Sequence, residues 1–114
     1  MSATYVALSQ YQAMWLLVCF DLPVQTKIQR RNAARFRKEL QKDGFGMMQY
    51  SVYIRPCPSN ETMHVHVKRV QALIPEEGMV SILRITDKQF SQTINLLGKK
   101  REPPPPAPIQ LELF

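Results

Sequence analysis

Cysteine and histidine are scarce in this sequence, which contains two residues of each. Cys19 and Cys57 have no Cys or His partner at the spacing of a zinc site, and two cysteines make no disulfide framework. The phosphate-binding glycine loop and the HExxH and CxxC motifs are also absent from the sequence. A zinc site, a P-loop and a disulfide-stabilised scaffold are therefore not expected.

Long apolar segments are missing as well. No apolar run approaches the roughly 18 residues that a membrane span needs, and the N-terminus lacks the basic and apolar regions of a signal peptide. We therefore expect a cytoplasmic protein that does not bind membranes. The 114 residues fit one domain, which is large enough to fold without disulfides or a structural metal.

Acidic residues are outnumbered, with 9 Asp and Glu against 15 Lys and Arg, so the formal net charge is +6. A basic protein favours a polyanionic partner, and nucleic acid is the commonest one. The alternative is a soluble protein that is basic without such a partner.

The strongest structural signal is an apolar run from Met14 to Phe20 that leads directly into Asp21. A continuous apolar run of this kind predicts a strand buried on both faces in the middle of a sheet. Asp21 would then lie at the carboxyl end of that strand, where α/β sheets tend to place ligands. One alternative for Asp21 is a simple turn or cap carboxylate before Pro23.

A basic helix is predicted next, from Lys27 to Lys42, with Thr26 as its N-cap and Gly44 and Gly46 after its end. At 100° per residue, its apolar stripe comprises Ile28, Ala33, Phe36 and Leu40. Five basic residues form a separate arc on the helix: Lys27, Arg31, Arg35, Lys38 and Lys42. Arg30 and Arg37 lie on the opposite flank.

This basic arc has three possible explanations. Like charges at i,i+4 repel each other, so an uncompensated row costs stability unless an anionic surface meets it. Contact with nucleic acid explains the row best, with Arg30 as a further nucleic-acid contact, and an acidic protein partner or an ordinary solvated helix face are the alternatives.

The remaining domain is predicted to contain three strands and one helix: strand Phe45–Arg55, a helix from Glu61 to Ile74 capped by Ser59 or Asn60, strand Met79–Thr86 and a short strand Thr93–Leu97. His64 and His66 are interpreted as surface residues of that helix rather than metal ligands. The element order predicts a ferredoxin-like α+β sandwich, with two helices on one face of a mainly antiparallel four-strand sheet.

The two ends of the chain differ from this domain, which spans 14–98. Residues 1–13 are an uncharged extension, and 99–108 form a basic, proline-rich linker. Residues 109–114 alternate apolar and polar, so they predict a strand that pairs with another copy or another protein through its apolar residues: Ile109, Leu111, Leu113 and Phe114. A disordered tail is the alternative.

Asp21 is the one acidic residue placed for chemistry, and we interpret it as a possible ligand of Mg²⁺. One carboxylate is little for the hydrolysis of a phosphodiester. A two-fold dimer would bring two copies of Asp21 together, so a catalytic Asp21 implies a site close to a dimer axis.

Three features together resemble the family of CRISPR-associated protein two. They are the Phe20-Asp21-Leu22-Pro23 strand end followed by the basic helix, the Gln49-Tyr50-Ser51-Val52-Tyr53 segment and the terminal extended strand. The resemblance covers residues 14–114 and is closest to members from type II systems.

The resemblance implies a ferredoxin-like homodimer in which Asp21 binds a divalent metal across the dimer axis, with Ser51 and Tyr53 among the other catalytic positions. It places Phe20 and Arg30 around the same site and the C-terminal strand against a partner subunit. It implies a protein that bridges two dimers of the larger CRISPR integrase subunit and holds double-stranded DNA for spacer acquisition. Metal-dependent cleavage of RNA or DNA is attributed to some members.

Two other functions remain open from the sequence alone. One is a ribonuclease toxin resembling the virulence-associated protein D family, which shares this fold. The other is a ferredoxin-like dimer that binds a small regulatory molecule, which the basic helix disfavours.

Overall fold

Residues 13–98 are described by a computed structural model of the chain. Three predicted segments lie outside these described residues: the extension 1–13 except its last residue, the linker at 99–108, and the terminal strand with Ile109, Leu111, Leu113 and Phe114. The elements follow in this order: β1 Met14–Asp21, α1 Lys27–Lys42, β2 Gly46–Gln49, β3 Val52–Cys57, α2 Asn60–Leu73, β4 Met79–Thr86 and α3 Asp87–Ser91.

The apolar run that opens the domain is an inner strand of the sheet, as predicted. The strand order is β2-β3-β1-β4, and every neighbouring pair is antiparallel. The side chains of Leu16, Val18 and Phe20 point to one face and pack with Phe36 of α1 and Val70 of α2. The predicted α+β fold, with two helices, α1 and α2, on one face of a four-strand antiparallel sheet, is therefore confirmed.

Helix α1 begins and ends where the sequence predicted. The hydroxyl of Thr26 accepts a hydrogen bond from the backbone N–H of Gln29, whose side chain accepts one in return from the N–H of Thr26. Gly44 follows the helix with φ of +89°, and a Cβ at that position would overlap the Arg55 guanidinium. The apolar stripe is shorter than predicted, because burial begins at Ala33 and Ile28 is 67% exposed.

The segment predicted as one strand, Phe45–Arg55, is instead a hairpin. Strands β2 and β3 pair from Gly46 opposite Ile54 to Gln49 opposite Val52, with an irregularity after Met47. Hairpin turns can usually be recognised in a sequence by Gly or Asn, because the favoured turn types need a positive φ. No non-glycine residue within 13–98 has a positive φ, so the Tyr50-Ser51 turn carries no such signal and alternation continues through it.

A second predicted strand is absent. Residues 93–98 have no regular secondary structure, and Ile94 and Leu96 are 80% and 86% exposed. The sheet still has the predicted four strands, because the hairpin supplies two of them. The prediction of a strand at Thr93–Leu97 is therefore wrong for the chain on its own, in which this segment pairs with neither edge of the sheet.

His66 is a buried residue, not the surface residue that was predicted. It is 5% exposed, and its Nδ1 donates a hydrogen bond of 2.7 Å to the carboxylate of Asp43. Arg69 donates to the other oxygen of that carboxylate at 2.7 Å, and Arg55 donates to the backbone carbonyl of Asp43 at 2.8 Å. This cluster joins the C-terminal end of α1 to α2 and β3, whereas His64 is exposed as predicted.

Asp43→Asn should lower the free energy of unfolding by about 1–3 kcal/mol at neutral pH, because the substitution weakens charge-assisted bonds to His66 and Arg69. Burial alone would raise the pKa of Asp43, but the hydrogen bonds and positive charges of His66 and Arg69 together hold it below the ordinary value of 3.8. A lowered carboxyl pKa stabilises the folded state above that ordinary value, and the stabilisation is lost as the pH falls through the folded-state pKa.

Urea unfolding of both proteins across acidic pH checks this expectation. The difference in stability between Asp43→Asn and its parent should shrink as the pH is lowered below 3.8. A difference that stays constant into strong acid would show that the carboxylate charge is not what joins these elements.

Candidate functional site

Asp21 is the last residue of β1, and its side chain is exposed at the end of the sheet. It is opposite Met79 at the start of β4. Gly78, the residue just before β4, has φ of +105°, and a Cβ there would approach the carbonyl oxygen of Asp21 to 2.8 Å. Glycine thus lets the loop before β4 pass close to the backbone at Asp21 and leaves the carboxylate accessible.

Ser51 lies beside this strand end, whereas Tyr53 lies on the other face of the sheet. The backbone N–H of Phe20 donates to the carbonyl oxygen of Ser51 at 3.1 Å, which places the hairpin turn next to Asp21. Tyr53 is 1% exposed and stacks with Phe20 at 5.7 Å between ring centroids. Since neighbouring residues of a strand point to opposite faces, one chain does not bring the side chains of Tyr53 and Asp21 together.

Residues 13–98 of one chain do not form a complete metal site. Within 13–98, no group of three or more His, Cys, Asp and Glu side chains is placed to hold a metal ion. One exposed carboxylate such as Asp21 fits Mg²⁺ in its chemistry, because Mg²⁺ is often held by one or two carboxylates together with waters and phosphate oxygens. A Mg²⁺ site at Asp21 would therefore need further ligands from outside residues 13–98.

The face of the sheet opposite α1 and α2 is called the open face below, and it extends from Phe90 to Asp21. One end of it is covered by α3, whose Phe90 ring stacks on Trp15 with 4.1 Å between the centroids. Beyond that cover, the residues that share the face are mostly apolar and not fully buried: Leu17, Cys19, Val52, Leu83 and Met79. A sheet face turned to water normally carries polar residues, so this composition is unusual for a face exposed to water.

The basic arc of α1 is exposed along its whole length and is called the basic face below; it consists of Lys27, Arg31, Arg35, Lys38 and Lys42. Lys42 approaches Glu39 at 3.4 Å. The other four have no carboxylate within ion-pair distance among the described residues. Their charges therefore add to one another at the surface.

Arg30 differs from the basic face, although it is also exposed. Its guanidinium donates to the backbone carbonyls of Val24 and Gln25, each at 3.1 Å. These bonds join the first turns of α1 to the loop after Asp21. Arg30 therefore orders the connection between the strand end and the basic helix.

Arg37 and Tyr50 form a contact that the sequence did not predict. The Arg37 guanidinium lies 4.1 Å from the centre of the Tyr50 ring and 5.2 Å from that of Phe20. The helical projection placed Arg37 away from the basic arc, and the hairpin that brings Tyr50 to α1 was read as one strand. The sequence signal for this contact would have been an aromatic residue in a turn that faces a basic helix.

No helix within 13–98 has both the length and the apolar character needed to cross a membrane.

The antiparallel sheet, its two helices on one face and the carboxylate at the end of its inner strand define a small α+β protein of the ferredoxin-like class. A sequence model of the family described as CRISPR associated protein Cas2 matches residues 14–93. The chain belongs to this Cas2 family, which confirms the family predicted from its motifs.

Curated relatives match most of the chain. The CRISPR-associated endoribonuclease Cas2 of Parvibaculum lavamentivorans is 52% identical over 101 residues, which is 89% of this chain and all of that protein. The protein of the same name from Flavobacterium psychrophilum is 46% identical over 110 residues, or 96% of each chain. A solved structure described as a crystal structure of Cas2 superposes with a TM-score of 0.56 at 22% identity, covering 82% of this chain and 95% of the other; it supports the fold.

Proposed function

We propose that this protein is a subunit of the CRISPR spacer-acquisition machinery that binds the backbone of double-stranded DNA and bridges two dimers of the larger integrase subunit. The observation that carries the proposal is the basic face of α1, where Lys27, Arg31, Arg35 and Lys38 are exposed without a carboxylate partner within 13–98. Contacts of lysine and arginine with phosphates position a duplex without reading its sequence, which suits a protein that must accept DNA of any sequence.

A homodimer through the open face would complete the assembly. Covering Leu17, Leu83 and Met79 with the same face of a second copy removes apolar surface from water. Since Asp21 ends the central strand of that face, a two-fold axis near it would bring two carboxylates together. The contact of Ile109, Leu111, Leu113 and Phe114 with a partner subunit stays a prediction.

We propose in addition that the paired Asp21 residues hold Mg²⁺ and support cleavage of RNA or DNA, since the curated relatives are named endoribonucleases. Bound Mg²⁺ would stabilise negative charge on the phosphodiester and assist the attacking water. Arg30 orders the loop after Asp21, and Ser51 fixes the strand end through its carbonyl oxygen. Tyr53 supports the site from behind, through its stacking with Phe20.

Reversing three charges of the basic face tests the DNA-binding role. Lys27→Glu/Arg31→Glu/Arg35→Glu should reduce the log–log salt slope of duplex binding by about 2.7, at about 0.9 for each lost phosphate contact, and weaken binding at least about 100-fold at low salt. Fluorescence anisotropy of a labelled duplex over a salt series measures both quantities.

The matched control carries the same change of net charge elsewhere. Lys68, Arg84 and Lys88 are exposed on α2, β4 and α3, so none of them belongs to the basic face of α1. Reversing all three should leave affinity within about 5-fold of the parent, because only long-range attraction is lost. Equal losses in the two triple variants would mean that net charge, not the basic face, attracts the duplex.

A further inference from the structure

The hairpin turn and α1 enclose an open groove that joins the basic face to an aromatic wall. The helix contributes cations and the hairpin tyrosines, and the charged and aromatic residues of the lining are Arg31, Arg35, Arg37, Lys38, Tyr50 and Tyr53. Tyr53 is 1% exposed and belongs to the core side of the groove. Tyr50 stands at the tip of the hairpin and is 70% exposed.

Tyr50 is held as a platform with one free ring face. The Arg37 guanidinium covers one face of the ring at 4.1 Å and is itself packed over Phe20. The Nε atom of Arg37 is buried without a hydrogen-bond partner among the described residues, and the guanidinium contacts the two rings. Because Tyr50 remains 70% exposed, its other ring face is open to solvent.

The charges of the groove call for an anion. Arg31, Arg35, Arg37 and Lys38 have no carboxylate within ion-pair distance among residues 13–98. A flat aromatic ring beside unpaired cations matches the chemistry of single-stranded nucleic acid, whose bases stack on aromatic rings while its phosphates contact arginine and lysine. A paired duplex offers phosphates to the same cations but keeps its bases stacked on each other, so it leaves the Tyr50 ring unused.

We propose that this groove binds an unpaired nucleotide next to a duplex, with its base stacked on the free face of Tyr50 and its phosphate among Arg31, Arg35 and Lys38. Arg37 acts as a positioning residue, because it orients the Tyr50 ring from behind. The inference rests on the proposed DNA-binding role of the basic face and adds a preference for a duplex with an unpaired end. Base stacking is indifferent to the sugar, so the unpaired strand is DNA or RNA.

Fluorescence with the full chain tests the stacking. The probes are a blunt DNA duplex and the same duplex with a short unpaired DNA or RNA extension that contains 2-aminopurine. The parent should bind the extended duplexes more tightly than the blunt one and quench the 2-aminopurine. Tyr50→Leu should lose the quenching and about 5- to 100-fold of affinity for the extended probes, while its affinity for the blunt duplex stays within about two-fold of the parent's.

Tyr50→Phe is the matched control, since it keeps the ring and should keep both the quenching and the preference. Arg37→Gln should weaken the preference less than Tyr50→Leu does. Thermal unfolding should match the parent for Tyr50→Leu, because the residue is exposed in a turn.

The outcomes separate this inference from the proposed function. A parent that binds the blunt duplex but neither prefers the extension nor quenches 2-aminopurine overturns the stacking site and leaves the duplex role intact. Unchanged binding and quenching by Tyr50→Leu overturns it in the same way. A parent that binds no probe overturns both proposals.

Discussion

Asp21→Asn should reduce Mg²⁺-dependent cleavage of nucleic acid by at least about 1,000-fold, while duplex binding stays within about two-fold of the parent. Asparagine has nearly the same shape as aspartate but carries no charge, so each copy loses the carboxylate proposed to hold the metal. Stabilisation by a metal ion supplies several kcal/mol at the transition state, and each 1.36 kcal/mol is a factor of ten in rate. The exposed position of Asp21 at the strand end lets the fold tolerate the change.

The measurement is the single-turnover cleavage rate of single-stranded RNA and of duplex DNA over a series of Mg²⁺ concentrations. Glu76→Gln is the matched control, because it removes another exposed carboxylate in the loop before β4 and should cleave as the parent does. If Asp21→Asn cleaves at the parental rate, the proposed metal site is lost. The duplex-binding role would survive that result, because it depends on the basic face of α1.

The sequence specified the major elements because they carry strong local signals. β1 is a continuous apolar run, and α1 is enclosed by a Thr26 capping box and by Gly44 in a left-handed conformation. Helix α2 begins after Ser59, whose hydroxyl accepts from the N–H of Thr62, and it ends before Pro75. Caps and periodicity are local properties, so they can be read without knowledge of the tertiary structure.

Features that depend on tertiary contacts were missed. His66 looks like a surface residue by position on the helix, but the Asp43 carboxylate at the end of α1 makes its burial favourable. The turn at Tyr50-Ser51 has no residue with a positive φ and therefore no glycine or asparagine to mark it. The alternation of the sequence is then the same for a hairpin as for one long strand. Ile28 fits the apolar stripe of α1 in projection, yet the burial of that stripe begins only at Ala33.

The candidate site divides in the same way. Asp21 and the basic face follow from one strand and one helix, so both could be named in advance. The groove of Arg37 and Tyr50 exists only because the hairpin folds back beside α1. The separation of Tyr53 from Asp21 likewise depends on which face of the sheet each strand position occupies. The interpretation of the hairpin as a single strand did not show which face of the sheet Tyr53 would occupy.

The second large effect concerns the open face of the sheet. Leu83 lies opposite Leu17 in the β1–β4 register and is 45% exposed. Leu83→Glu should convert the proposed dimer into monomers, because each dimer would then have to bury two unpaired carboxylates at the cost of several kcal/mol each. The expected rise in the dissociation constant is at least about 1,000-fold, at 1.4 kcal/mol for each factor of ten.

Val65→Glu is the matched control, since Val65 is 46% exposed on the outer side of α2, away from the open face. Sedimentation velocity over a range of concentrations should show a dimer for the parent and for Val65→Glu, and a monomer for Leu83→Glu. Cleavage should fall together with dimerisation, because a monomer offers only one Asp21 carboxylate. A dimeric Leu83→Glu would place the subunit contact elsewhere, and a monomer with full cleavage would show that one Asp21 is enough.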